Sequence, residues 1–124
     1  MKPVLRDTFI ALMPAIVVLI LRRIYPAPEL PLKSFFFLII VSPLAEELLF
    51  RGTLHEYLLG KTGKYRVNLI VSLAFALCHL IFIRQPSRLL TFFPSLVFGE
   101  HYNRHRSVPA VFLIHAAYNA VWLI

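Results

Sequence analysis

Hydrophobic residues form five blocks along the chain, separated by short segments that carry most of the charged residues. The blocks cover residues 8–21, 34–59, 67–83, 89–98 and 109–124. A helix rises 1.5 Å per residue, so about 20 apolar residues cross a bilayer core. The pattern therefore predicts an all-α fold, a polytopic membrane helix bundle of about four to five hydrophobic helices, in a single domain over residues 1–124.

The ends of the blocks are marked by residues that oppose helix formation. The connector 22–33 contains three prolines, so we expect an extended loop at the membrane interface. Gly60 stops the second block. The fourth block is short and is interrupted by Pro94, so it is either a thin span or a re-entrant segment. The first block lacks a following small-residue cleavage site, which favours a retained span over a signal peptide.

Charge and composition narrow the class of partner. The chain is 59% hydrophobic and 15% charged, with a formal net charge of +7. Its Lys and Arg residues lie at the ends of the hydrophobic blocks, where cations face anionic lipid headgroups. We therefore expect a lipid bilayer as the partner of this basic chain and no nucleic acid. Cys78 is the single cysteine, so an intrachain disulfide is excluded.

Two carboxylates and an arginine lie in the middle of the second block, where an ionised side chain costs at least about 2.5–3.5 kcal/mol. Glu47 and Arg51 are four residues apart and are expected to form an ion pair along the helix. Glu46 points about 100° away. Positions 42 and 50 are serine and phenylalanine, so we expect the partner of Glu46 to come from another helix.

Further polar residues occur at comparable depth in the third and fifth blocks. His79 lies in the third block, and His115 and Asn119 share one face of the fifth block. With Glu46, these make four polar side chains from three helices that can meet in one layer. A carboxylate that takes a proton from water, a histidine, and donors for an oxyanion constitute a hydrolytic site. The remaining histidines are expected to be solvated, His55 near the interface and His101 and His105 in a loop.

Taken in chain order, these residues form the motifs Glu46-Glu47-x-x-x-Arg51, Phe75-x-x-x-His79 and His115-x-x-x-Asn119. Each motif alone is short and weak, but the three in this order on successive blocks resemble those of the CPBP family (CAAX protease and bacteriocin-processing, or Abi). The similarity covers a core of about residues 42–119. It implies a glutamic-type intramembrane protease, in a multi-pass integral membrane protein of the bacterial inner membrane.

The resemblance also implies residue roles. Glu46 and His79 would activate water, and His115 and Asn119 would stabilise the oxyanion. By the same analogy, Glu47 and Arg51 hold the catalytic helix in position. The substrate would be a membrane-anchored protein or peptide, cut near its membrane-associated C-terminal tail.

Two alternatives remain open from the sequence. Glu46, His79 and His115 could ligate zinc in a CAAX-type metalloprotease. The chain has no His-Glu-x-x-His helix, so we favour the mechanism without a metal or other cofactor. The second alternative is a non-enzymatic membrane protein. It could be an immunity or scaffold protein in which the polar layer serves helix packing, or a transporter in which a midplane carboxylate and histidine relay protons.

Overall fold

The computed structural model describes residues 2–22 and 29–123, and the regular structure in these residues is entirely helical. The helices are α1 (Pro3–Arg22), α2 (residues 32–59), α3 (Lys64–Ile83), α4 (Phe92–His105) and α5 (Val108–Leu123), and a 3₁₀ segment, Pro86–Thr91, precedes α4. The predicted all-α class is confirmed for this part of the chain. Residues 23–28 of the predicted interfacial loop lie outside the described residues.

Helix α2 is one long helix that changes its hydrogen-bond register twice. Its backbone is α-helical at Leu32–Phe36, Ser42–Leu49 and Glu56–Leu59, and π-helical at Phe37–Val41 and Phe50–His55. The joints keep right-handed helical angles, with φ −64° at Ser42 and −77° at Phe50. Single π turns inside α-helices are frequent at functional sites. Here they enclose the eight residues that carry both carboxylates.

The predicted interruption at Pro94 is wrong. Pro94 is the third residue of α4, and the helix continues through it to His105. A proline is tolerated in the first turn because the N–H groups there have no partner within the helix. The third block is confirmed as a helix, and it begins three residues earlier than predicted, at Lys64.

The helices pack around two apolar clusters. One cluster joins α1, α4 and α5 through Ala11, Phe98, Tyr102, Val111 and Ile114. The other joins α2 and α3 through Phe50, Val67, Val71 and Phe75. Phe98 and Phe75 both contact the same buried residues of α2 and α5, Arg51 and His115, so a polar layer lies between the two clusters.

The contact between α3 and α4 depends on a glycine. A Cβ added at Gly99 would lie far inside van der Waals distance of Asn68 Oδ1 and Cγ. Asn68 is itself held, because its Nδ2 donates to the Leu96 carbonyl at 3.0 Å and its Oδ1 accepts from Ser72 Oγ at 3.2 Å. The absence of a side chain at position 99 therefore lets the two helices approach.

Among the described residues, one helix, Lys64–Ile83, is long and apolar enough to cross a membrane, with a mean hydropathy of 2.0. Helix α5 is also apolar but shorter. Large apolar side chains are exposed on the outer surface of several helices, including Phe9, Ile20, Phe36, Leu49, Phe82 and Leu113.

Candidate active site

The carboxylate of Glu46 lies where α2, α3 and α5 meet. Its Oε2 atom is 3.6 Å from His79 Nε2 and 3.8 Å from His115 Nε2. This buried oxygen has no hydrogen-bond partner among the described residues. Both distances exceed a normal hydrogen bond, so neither imidazole is hydrogen-bonded to Glu46 Oε2 in this arrangement.

The other oxygen of Glu46 is occupied. Ser42 Oγ donates a hydrogen bond to Glu46 Oε1 from one helical turn earlier. The expectation that Glu46 lacks a partner on its own helix is therefore wrong. A serine hydroxyl four residues away can reach a carboxylate, just as the side chain of a lysine or arginine at that spacing can. The expectation of partners on other helices agrees with the positions of His79 and His115.

The three side chains of the cluster differ in exposure. The side chains of Glu46 and His79 are 22% and 20% exposed, whereas that of His115 is 5% exposed. Glu46 and His79 are thus the partly exposed members of the cluster, and His115 is its buried member.

Hydrogen bonds that the Nδ1 atoms donate orient both histidine rings. His79 Nδ1 is 2.9 Å from the Phe75 carbonyl, which can only accept, so Nδ1 carries the proton. His115 Nδ1 donates in the same way to Glu47 Oε1 at 2.7 Å. In the neutral rings, each Nε2 therefore presents a lone pair toward Glu46.

The predicted Glu47–Arg51 ion pair is present, with Arg51 Nη1 3.3 Å from the carboxylate and both side chains fully buried. Arg51 Nη2 also donates to the carbonyl and to the hydroxyl of Ser95, at 2.7 and 2.6 Å. The rings of Phe75 and Phe98 lie 5.3 and 5.6 Å from the guanidinium carbon. Glu47 thus bonds both Arg51 and His115, and the helical spacing showed only the first of these contacts.

Asn119 does not join the cluster of carboxylate and imidazoles directly. Among the described residues, its Nδ2 donates to the Leu38 carbonyl, at 2.9 Å, in the first π-helical turn of α2. Its amide therefore ties α5 to the segment that precedes Glu46. A second hydrogen on Nδ2 remains available as a donor.

The other histidines are not solvated, contrary to expectation. His55 is fully buried and its Nε2 lies 2.7 Å from Asn103 Oδ1. His101 and His105 belong to α4 rather than to a loop. His101 is 3% exposed and contacts Thr8 Oγ1 at 2.9 Å, and His105 contacts Asp7 at 3.0 Å. The helix continues through them, so they face α1 instead of solvent.

Metal binding requires several His, Cys, Asp or Glu side chains around one point. Within residues 2–22 and 29–123, no group of three or more His, Cys, Asp and Glu side chains is arranged to hold a metal ion. Glu46, His79 and His115 are close together, but they do not form a ready zinc site in this geometry.

Residues 28–121 match the family model described as type II CAAX prenyl endopeptidase Rce1-like. The chain belongs to the Rce1-like family. This confirms the resemblance read from the three motifs, and it makes the Rce1-like chain a member of a family of membrane-integral CAAX proteases. Searches of curated proteins and of solved structures gave no match to this Rce1-like chain.

Proposed function

We propose that this Rce1-like chain is an intramembrane endopeptidase in which Glu46 and His79 activate water to cut a peptide bond near a membrane-associated C-terminal tail. The observation that carries the proposal is Glu46 Oε2, a buried acceptor without a donor that faces two histidine Nε2 atoms at 3.6 and 3.8 Å. An unpaired buried carboxylate oxygen is costly in a structural role. It fits a position that water occupies during catalysis.

The reaction begins with a water between Glu46 Oε2 and His79 Nε2. Glu46 takes one proton as the water oxygen bonds to the scissile carbonyl carbon, and His79 accepts a hydrogen bond from the other O–H. The Phe75 carbonyl keeps His79 in the tautomer that can do this. When the C–N bond breaks, Glu46 returns its proton to the leaving amine.

The developing oxyanion takes donors from α5. His115 is held through Nδ1 by the buried Glu47 carboxylate, and it supplies a donor to the oxyanion when its ring carries a second proton, on Nε2. The second amide hydrogen of Asn119 is the other proposed donor. Glu47 and Arg51 support these groups. Arg51 bonds Ser95 and so fixes α2 against α4, and Glu47 bonds both Arg51 and His115 and so holds His115 in place.

We place the chain in the membrane as a polytopic helix bundle. Support comes from the apolar helix Lys64–Ile83 and from the large exposed apolar side chains on α1, α2 and α5. In water such a surface would favour association, whereas lipid tails solvate it. Residence in a bacterial inner membrane stays a prediction from the resemblance.

The proposal is tested with purified protein in liposomes and a prenylated CAAX peptide as substrate. We expect Glu46→Gln and His79→Ala each to lower the rate of cleavage by about 100-fold or more, because each removes a group that handles the water proton. Glu29→Gln is the matched control, since Glu29 is an exposed carboxylate outside the helices, and it should cleave at the parent rate. Parent-like cleavage by either site variant would refute the proposal.

Chelation separates the metal-free mechanism from the zinc alternative. We expect cleavage to survive exhaustive chelation, and we expect no stoichiometric zinc in the active protein. Activity that is lost on chelation and restored by zinc would assign Glu46, His79 and His115 to a metalloprotease site instead.

A further inference from the structure

We propose that Ser42 is a positioning residue for catalysis, which holds one oxygen of Glu46 so that the other faces the water. This inference rests on the proposed function of Glu46. Ser42 Oγ donates to Oε1, and Oε2 lies 3.6 and 3.8 Å from the Nε2 atoms of the two histidines. The two oxygens of one carboxylate thus have different surroundings. The hydrogen bond from Ser42 holds Oε1, so that Oε2 is the oxygen that faces the histidines.

Glutamate needs such a restraint because its side chain has three rotatable bonds. Rotation about the last bond exchanges the two oxygens, and rotation about the first two bonds moves the whole carboxylate away from the histidines. Hydrogen bonds to a charged acceptor are stronger than those between neutral groups. A hydroxyl anchored on Oε1 therefore reduces the orientations of Glu46 to those in which Oε2 points at His79.

The direction of the Ser42 hydrogen bond is itself informative. A serine within a helix commonly returns its hydroxyl to the backbone carbonyl four residues earlier. Thr8 does this in α1, where its Oγ1 donates to the Val4 carbonyl at 2.7 Å. Ser42 instead directs its hydroxyl forward to the side chain at position 46.

The backbone of Ser42 is fixed from the neighbouring helix. The N–H of Ser42 closes the first π turn by donating to the Phe37 carbonyl. The next carbonyl in that turn, that of Leu38, accepts the amide of Asn119 from α5. Helix α5 therefore stabilises the π turn that presents Ser42, as well as supplying His115 to the cluster.

The test compares steady-state cleavage of the prenylated CAAX peptide in liposomes by three variants. We expect Ser42→Ala to lower kcat by about 10- to 100-fold, because this variant loses a hydrogen bond to a charged group. Its KM should stay within about twofold of the parent. Ser42→Thr keeps the hydroxyl and should recover most of kcat. Ser34→Ala is the matched control, because Ser34 is also a half-buried serine of α2, and its kcat should be unchanged.

Thermal unfolding of each variant in detergent accompanies the kinetics, so that a loss of kcat is read only in folded protein. Parent-like kcat in Ser42→Ala, or equal losses in Ser42→Ala and Ser42→Thr, would overturn the inference. Glu46→Gln is assayed in parallel. If it retains full activity, the proposed function fails. If it is inactive while Ser42→Ala is fully active, only the role of Ser42 fails.

Discussion

Neighbouring carboxylates in α2 have opposite surroundings, although they are adjacent in sequence. Glu47 is fully buried and bonded to Arg51 and His115. Glu46 is 22% exposed, and its Oε2 lies 3.6 and 3.8 Å from the Nε2 atoms of His79 and His115. A rotation of about 100° between successive helix positions is enough to place one carboxylate in a buried ion pair and the next beside the two histidines.

This difference predicts that substitution of Glu47 destabilises the protein and that substitution of Glu46 does not. Glu47→Gln leaves the Arg51 guanidinium buried without its counter-charge, so we expect a loss of about 3–5 kcal/mol in the free energy of unfolding. Glu46→Gln keeps the hydrogen bond with Ser42 possible and should unfold close to the parent. Chemical unfolding in detergent micelles measures both variants. Equal stability of the Glu47 variant and the parent would contradict the buried role of this pair.

The elements were easier to predict from the sequence than the contacts between them. The hydrophobic blocks of the sequence predicted the five helices. The spacing of the three motifs predicted Glu46, His79 and His115 as site residues, and these three lie close together in the structure. The hydrogen bond that Arg51 donates to Ser95 was not predictable, because no periodicity links residues 44 positions apart on different helices. The π turns were also missed, since hydrophobic patterning does not report a single inserted residue.

Helix packing gives a prediction that uses two glycines. Gly99→Ala should destabilise the protein by about 1–3 kcal/mol, because its methyl group would displace Asn68 from its partners on Leu96 and Ser72. Gly52→Ala is the matched control in α2. A Cβ there would meet Val108 Cγ2 at an ordinary 3.6 Å. We expect Gly52→Ala to leave the thermal midpoint unchanged or to raise it, and a Gly99→Ala protein as stable as this control would refute the close approach.

At the scale of the whole molecule, one end of the bundle is closed by an ion pair between distant segments. The last α-helical segment of α2, Glu56–Leu59, lies at this end. There Glu56 accepts hydrogen bonds from Arg106, in the connector between α4 and α5, and from the Tyr102 hydroxyl. The hydrogen bond from Arg106 and then that from Tyr102 hold the pKa of Glu56 below its usual value.

The lowered pKa of Glu56 predicts a pH dependence. The folded state favours the ionised carboxylate, so its stabilisation is fully present above the ordinary pKa of about 4.5 and is lost as the pH falls through the lower folded value. Glu56→Gln should therefore lower the thermal midpoint at pH 7, and its difference from the parent should shrink on acidification. A difference that is constant with pH would show that the ion pair does not contribute.

The central claim is that Glu46 is the base that activates water, and the most direct test is the rate at which folded Glu46→Gln cleaves a prenylated CAAX peptide in liposomes. The account predicts a rate about 100-fold or more below the parent, with an unchanged unfolding midpoint. Cleavage by folded Glu46→Gln at the parent rate would contradict it.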